Sequence, residues 1–189
     1  MNLNLIVEGP DRVGKSTLIK NLKKYYNGIS FYTLHYEHIS LDSKEKQHEY
    51  DYRQYRRMFE LMETTSYAKD AGIICDRSHL GEAVYGPIYR NSTNEYIYNL
   101  ESEYLNKPFW RNTFLILLTT SPSVLVSRDD GNSISAKEEM IQKEIENFEK
   151  AFANSLIQNK ISLRYDVNMD KKSVADKIIN QINQMYFKL

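Results

Sequence analysis

The chain has one cysteine, Cys75, so no internal disulfide can staple the fold, and a reducing compartment fits. Cys75 lies in the apolar run Ile73-Ile74-Cys75 and reads as a small core residue rather than a nucleophile. An excess of either charge is also missing. Twenty-five basic side chains balance 25 acidic ones, which argues against a general binder of nucleic acid or membrane surface and against action on a polynucleotide end. Only a local basic cleft remains open to such a chain. No apolar run approaches the roughly 20 residues of a membrane span, and the N-terminus lacks the charged and apolar regions of a signal peptide. The expectation is a soluble, cytoplasmic protein. The histidines His35, His38, His48 and His79 match no zinc spacing, and with one cysteine they exclude a transition-metal site. Repeats, low-complexity tracts and linkers are absent, so residues 1–189 are expected to form one domain.

Glycine and proline are scarce, and where they cluster they carry chemistry. The stretch Glu8-Gly9-Pro10-Asp11-Arg12-Val13-Gly14-Lys15-Ser16-Thr17 follows the apolar run Leu3 to Val7 and precedes a helical pattern through Leu18, Ile19 and Leu22. This is G-x-x-x-x-G-K-[ST] between a strand and a helix, the context a phosphate-binding loop requires. Gly9 and Gly14 let the backbone turn and present its N–H groups to phosphate oxygens. The helix N-terminus adds partial positive charge there. Lys15 supplies a point charge on what reads as a solvent-facing loop, and the Ser16 hydroxyl is a Mg²⁺ ligand. The motif predicts a nucleoside triphosphate and leaves its use open.

The remaining pattern alternates strand and helix. Strands are expected at 3–8, 30–35, 73–75, 113–119 and 161–165, and helices at 14–26, 44–69, 95–105, 136–158 and from Lys171 onward. A short helix is expected after a turn at 78–86, and another with Ser121 as N-cap and Pro122 at its first position. Gly72 reads as punctuation after the long helix, and Gly86-Pro87 as a loop. Ile141, Ile145, Phe148, Phe152 and Leu156 stand at core spacing. The expected fold is α/β, a five-stranded parallel sheet between two helical layers, with ligands at the carboxyl ends of the strands.

Asp76-Arg77 closes the third strand. A carboxylate there can hold the water shell of Mg²⁺, and the adjacent guanidinium can fork onto a phosphate. With the phosphate loop, the row Asp76-Arg77-Ser78-His79-Leu80-Gly81-Glu82-Ala83-Val84-Tyr85 resembles the thymidylate kinase family of nucleoside monophosphate kinases. The likeness continues through Phe114–Thr119, the helix ending in Arg128, and a short lid at about 129–136. It is similar above all to the small thymidylate-kinase-like enzymes of DNA viruses, which would place it in host cytoplasm.

The resemblance implies roles at matched positions. Asp11 would hold the acceptor's sugar 3′-hydroxyl, Arg12 would touch the transferring phosphoryl group, and Arg77 would grip the acceptor phosphate. Asp76 would organise Mg²⁺, Tyr85 would exclude a 2′-hydroxyl, and Arg128 would cover ATP. The family also places an aromatic and, one turn later, an arginine against the base. Tyr52 and Arg56 have that spacing, and Arg53 with Arg57 forms a rival pair. Glu37 follows the second strand, where related kinases keep an acid. Two departures matter: Gly81 replaces the usual Ser with Glu82 near the base, and the lid contains no arginine.

The expected reaction is transfer from ATP to a deoxynucleoside 5′-monophosphate, with dTMP or dUMP foremost and a homodimer as the expected assembly. Two alternatives stay open. A deoxynucleoside kinase has an acid-Arg-Ser row at this strand end and needs a carboxylate base, for which Glu37 stands ready. A nucleotide switch protein is the other, although Thr119 stands where a second acidic strand end would be.

Overall fold

The structure is a computed structural model that describes residues 1–36, 39–92, 95–129, 131, 135, 137–166 and 168–187. Five strands, β1 (Asn4–Glu8), β2 (Ser30–His35), β3 (Ala71–Asp76), β4 (Thr113–Thr119) and β5 (Asn159–Arg164), form one sheet in the order β2-β3-β1-β4-β5. Every pairing is parallel. The helices are α1 (Lys15–Tyr25), α2 (Lys44–Thr65), α3 (Leu80–Tyr85), α4 (Tyr96–Tyr104), α5 (Pro122–Ser127), α6 (Glu138–Asn154) and α7 (Lys171–Tyr186).

The three central strands are apolar on both faces because both are covered. Leu5 and Val7 of β1, Ile74 of β3 and Phe114, Ile116 and Leu118 of β4 face α1 and α7, through Leu18, Leu22, Ile178 and Ile182. The alternate residues Ile6, Ile73, Cys75, Leu115 and Leu117 face α2 and α4, through Met58, Phe59, Met62 and Leu100. Cys75 is fully buried, as its apolar setting predicts, and burial pushes its thiol pKa well up. Helix α6 joins both layers, with Ile141 and Ile145 in the first and Phe148 in the second.

Some expectations are corrected. Gly72 lies inside β3, and glycine is required there because a Cβ would stand 2.0 Å from the carbonyl oxygen of Leu3, the residue that leads into β1. Gly86–Arg90 is not an open loop but a π-helical turn with Pro87 in its first turn, where a missing N–H costs nothing. Helix α6 stops at Asn154, so Phe152 is only partly buried and Leu156 is exposed. The stop has a cause: Glu101, with no exposed surface, draws the Ser155 hydroxyl and the Leu156 N–H onto its carboxylate.

The chain leaves β1 toward β2 and leaves β4 toward β5, in opposite directions. The divergence opens a crevice above the carboxyl end of β1, where such sheets place ligands.

Candidate active site

The crevice is floored by the phosphate loop. Gly9, at φ 141°, passes so close to β4 that a Cβ would meet the Leu118 carbonyl oxygen at 2.2 Å. Gly14, at φ 94°, turns the chain into α1, whose first turn carries no acid. That helix end therefore keeps its N–H groups and positive partial charge for an anion.

Lys15 does not face solvent. Its side chain is 6% exposed and folds back over the loop, with Nζ donating to the carbonyls of Gly9 at 2.8 Å and Pro10 at 2.9 Å. Burial, reinforced by the Arg77 guanidinium, lowers its pKa against the opposing pull of Asp11, Glu8 and Asp76.

The Ser16 hydroxyl donates to Asp76 Oδ2 at 3.2 Å, and His35 Nδ1 lies 3.5 Å from the same oxygen. Ser16 and Asp76 come from distant parts of the chain, yet the β1–β3 pairing sets them side by side. Two hard oxygens at a helix N-terminus fit Mg²⁺, which takes one or two protein oxygens and completes its shell with phosphate and water. Among the described residues, no group of three or more His, Cys, Asp or Glu side chains could hold a metal without such help.

Arg77 stands in the left-handed region at φ 69°, as does Arg12 at φ 65°. Non-glycine residues pay for that conformation, and such strain clusters at working sites. The turn at Arg77 is clamped. Its N–H bonds the Val7 carbonyl at 3.1 Å, Ser78 Oγ donates to Glu8 Oε1 at 2.5 Å, and His79 Nε2 meets Glu101 at 2.7 Å. The Arg77 guanidinium pairs with Asp11.

Two clefts flank the loop. One, of about 50 Å³, is lined by Val13, Gly14, Thr17, Arg128, Tyr165 and Lys171. Arg128 Nη1 donates to Tyr165 Oη at 2.6 Å, and Tyr165 Oη donates to the Val13 carbonyl at 2.8 Å. The other cleft, of about 90 Å³, is lined by Asp11, Tyr55, Arg77, Glu82, Tyr85 and Arg90, with Glu8 at its base. Arg90 Nη2 donates to both oxygens of Glu82 at 2.8 Å. Burial raises the pKa of Glu82, with Arg90 opposing.

Arg12 is engaged with the lid. Its Nη2 donates to the Ser135 carbonyl at 2.6 Å and its Nη1 lies 2.9 Å from Asp129 Oδ1, so the guanidinium ties the loop to the two ends of the lid. Of that lid only Asp129, Gly131 and Ser135 are described. Glu37 lies outside the described residues.

The expected base-contact group is not brought to either cleft. Tyr52 turns to α4 and donates to Glu103 at 2.7 Å, while Arg53 and Arg56 are exposed and pair within α2 with Glu49 and Glu60. The buried stripe of α2 is Asp51, Tyr55, Met58, Phe59 and Met62, one position away in phase, and it delivers Tyr55 instead. Glu8, Arg90 and Tyr165 escaped the sequence reading. Glu8 had a signal, a carboxylate ending an apolar strand beside the first loop glycine; Tyr165 had none, since it reaches the loop only through the β4–β5 pairing.

No protein-family model and no curated protein matches the chain. Solved structures do. The YorR protein of Bacillus subtilis, in complex with phosphorylated GDP, matches with a TM-score of 0.67 and 16% identity over 97% of this chain and 98% of its own. Thymidylate kinase from Candida albicans gives 0.63 and 14% over 97% and 92%. Deoxyadenosine kinase from M. mycoides with bound dCTP gives 0.52 and 20% over 96% and 100%. At such identities the likeness is one of fold, and the fold is that of the P-loop nucleotide kinases.

Proposed function

We propose that the protein transfers the γ-phosphoryl group of ATP to a deoxynucleoside 5′-monophosphate. The observation that carries this reading is the pair of clefts on either side of one phosphate loop. The Tyr165–Arg128 side suits the donor's base and ribose, and the Arg77 side suits an anionic acceptor. The two substrates then meet over Lys15, and holding them in line is most of what phosphoryl transfer asks of a protein.

Lys15 leaves the carbonyls of Gly9 and Pro10 for the phosphates, which are stronger acceptors for a buried ammonium. Arg77 leaves Asp11 to grip the acceptor phosphate, exchanging one charge-assisted partner for a more highly charged one. Ser16 and Asp76 would hold Mg²⁺, which neutralises charge on the β- and γ-phosphates. Arg12 reaches the transferring group by giving up Asp129. Tyr85 walls the sugar, favouring deoxyribose, while Glu82 and Arg90 lie toward the base. An ionised acceptor needs no strong general base.

A specific observation favours a second reading, a deoxynucleoside kinase. The row Asp76-Arg77-Ser78 is bonded through Ser78 to Glu8, a carboxyl at the base of the acceptor cleft that could take the proton of a 5′-hydroxyl. The test is incubation with ATP, Mg²⁺ and a panel of nucleosides and monophosphates, reading ADP. Turnover on monophosphates is expected. Phosphorylated nucleosides beside inert monophosphates would sink the leading reading in favour of the second.

A further inference from the structure

Among the described residues, Glu8 Oε2 and Tyr85 Oη are buried polar atoms on the acceptor side without a hydrogen-bond partner. Glu8, 1% exposed, spends Oε1 on the Ser78 hydroxyl and leaves Oε2 unpaired. Tyr85, 9% exposed, leaves Oη unpaired. Both side chains line the same cleft of about 90 Å³. An unpaired polar atom in the interior is destabilising, and folded proteins keep few of them.

Neither group can relax easily. Ser78 holds the Glu8 carboxyl from the neighbouring strand end. The Tyr85 ring is stacked on Tyr89 with centroids 6.1 Å apart and meets Phe148 edge-on at 5.7 Å. Other unpaired atoms do not point to a ligand in this way. His79 Nδ1 belongs to a ring with no exposed surface, packed against Phe59, and Arg12 Nε and Arg77 Nε belong to guanidinium groups whose charge is already matched by Asp129 and Asp11.

The chemistry of the pair selects its ligand. A carboxylate oxygen repels a phosphate, which Arg77 in the same cleft attracts. A carboxylate oxygen and a phenol together match an alcohol, which donates to the first and accepts from the second. We propose that Glu8 Oε2 and Tyr85 Oη form a binding site for one hydroxyl group of the acceptor. The site rests on the reading of the cleft as an acceptor site. It makes Tyr85 a hydrogen-bonding residue rather than a steric wall alone. The hydroxyl comes either from the sugar 3′ position of a monophosphate or from the 5′ position of a nucleoside.

Calorimetric titration without ATP separates these sources. One arm compares a deoxynucleoside monophosphate with its 2′,3′-dideoxy counterpart, and the other a deoxynucleoside with its 5′-deoxy counterpart. In the wild-type protein, deleting the hydroxyl should weaken binding about tenfold in one arm, on the scale of a charge-assisted hydrogen bond. Tyr85→Phe and Glu8→Gln, which keep shape and the Ser78 contact, should each shrink that ratio, and together bring it near one. A wild-type protein indifferent to both deletions, or a ratio untouched in the double variant, overturns the site. ADP release is read in parallel. Turnover with an unchanged ratio leaves phosphoryl transfer standing without the hydroxyl site, whereas a normal ratio with no turnover on any acceptor removes the kinase reading alone.

Discussion

At the residue scale, the site is assembled from charged side chains that engage one another or the loop backbone. Arg77 pairs with Asp11, Lys15 lies on loop carbonyls and Arg12 lies against Asp129. Arg77→Ala should therefore raise the KM for the monophosphate about ten- to a hundredfold, the worth of one charge-assisted contact, and change the KM for ATP much less. The reverse pattern in steady-state kinetics would exchange the two clefts. Glu8 belongs to this scale as well. Burial raises its pKa, with Ser78, His79 and Lys15 opposing, so the folded state holds its proton more tightly than the unfolded one. Stability from this group is then present at low pH and declines as pH rises from the ordinary carboxylate range through the raised folded value. Glu8→Gln, which cannot ionise, should flatten that decline above the ordinary carboxylate value of about pH 4.5. Urea unfolding as a function of pH is the measurement, and an unchanged slope would remove Glu8 as its source.

At the element scale, the strand–loop–helix unit of β1 and α1 depends on backbone contacts that leave no room for side chains. Gly72→Ala forces β3 away from the Leu3 carbonyl with no flexible side chain to yield, so a loss of about 2–4 kcal/mol in urea unfolding is expected on the scale of overpacking and strain. A neutral result would mean that β1 and β3 can part without loss. The loop and the lid form the second unit. Arg128 donates to Tyr165 and approaches the Arg12 carbonyl at 3.4 Å, beside the cleft lined by Gly14 and Thr17, whereas the Arg12 guanidinium meets the lid ends. Arg12→Ala should lower kcat at least about a hundredfold with little change in ATP binding, since an arginine on a transferring phosphoryl group contributes about 10³–10⁵. Arg128→Ala should act mainly on the KM for ATP. This division is falsified if Arg128→Ala cripples kcat while Arg12→Ala stays near wild type.

At the scale of the whole molecule, binding is coupled to folding because the site draws on β1, β3, β5 and α3 at once. ATP with Mg²⁺ at about a hundredfold its Kd should add about 2.7 kcal/mol to the unfolding free energy, seen as a rise in Tm. Lys15→Ala should lose most of that rise and at least about a hundredfold in kcat, on the scale of electrostatic stabilisation of the transferring group. It should keep its own fold, because the two carbonyls it leaves are in the loop at the crevice. An intact rise in Tm with Lys15→Ala would show that the loop does not hold the triphosphate.

The alternating elements and the phosphate loop were determined by the sequence alone, because both are local. A run such as Thr113–Thr119 is a strand wherever its neighbours lie, and Gly9 to Thr17 carries its turn, charge and helix start within one stretch. Asp76-Arg77 was legible for the same reason, as an acid and a base at the end of an apolar strand. Three matters were decided only in three dimensions. The phase of α2 turns Tyr55 toward the cleft and Tyr52, Arg53 and Arg56 away, since one residue rotates a helix face by about 100° and only packing against β3 chooses among neighbouring stripes. The partners of Arg12 lie more than a hundred positions away, at Asp129 and Ser135, beyond any spacing rule. Glu8, Ser78 and Tyr85 converge because β1 and β3 pair in parallel and α3 leaves the end of β3. Strand order is a property of the folded sheet, and residues that meet across it carry no mark of the meeting in the chain.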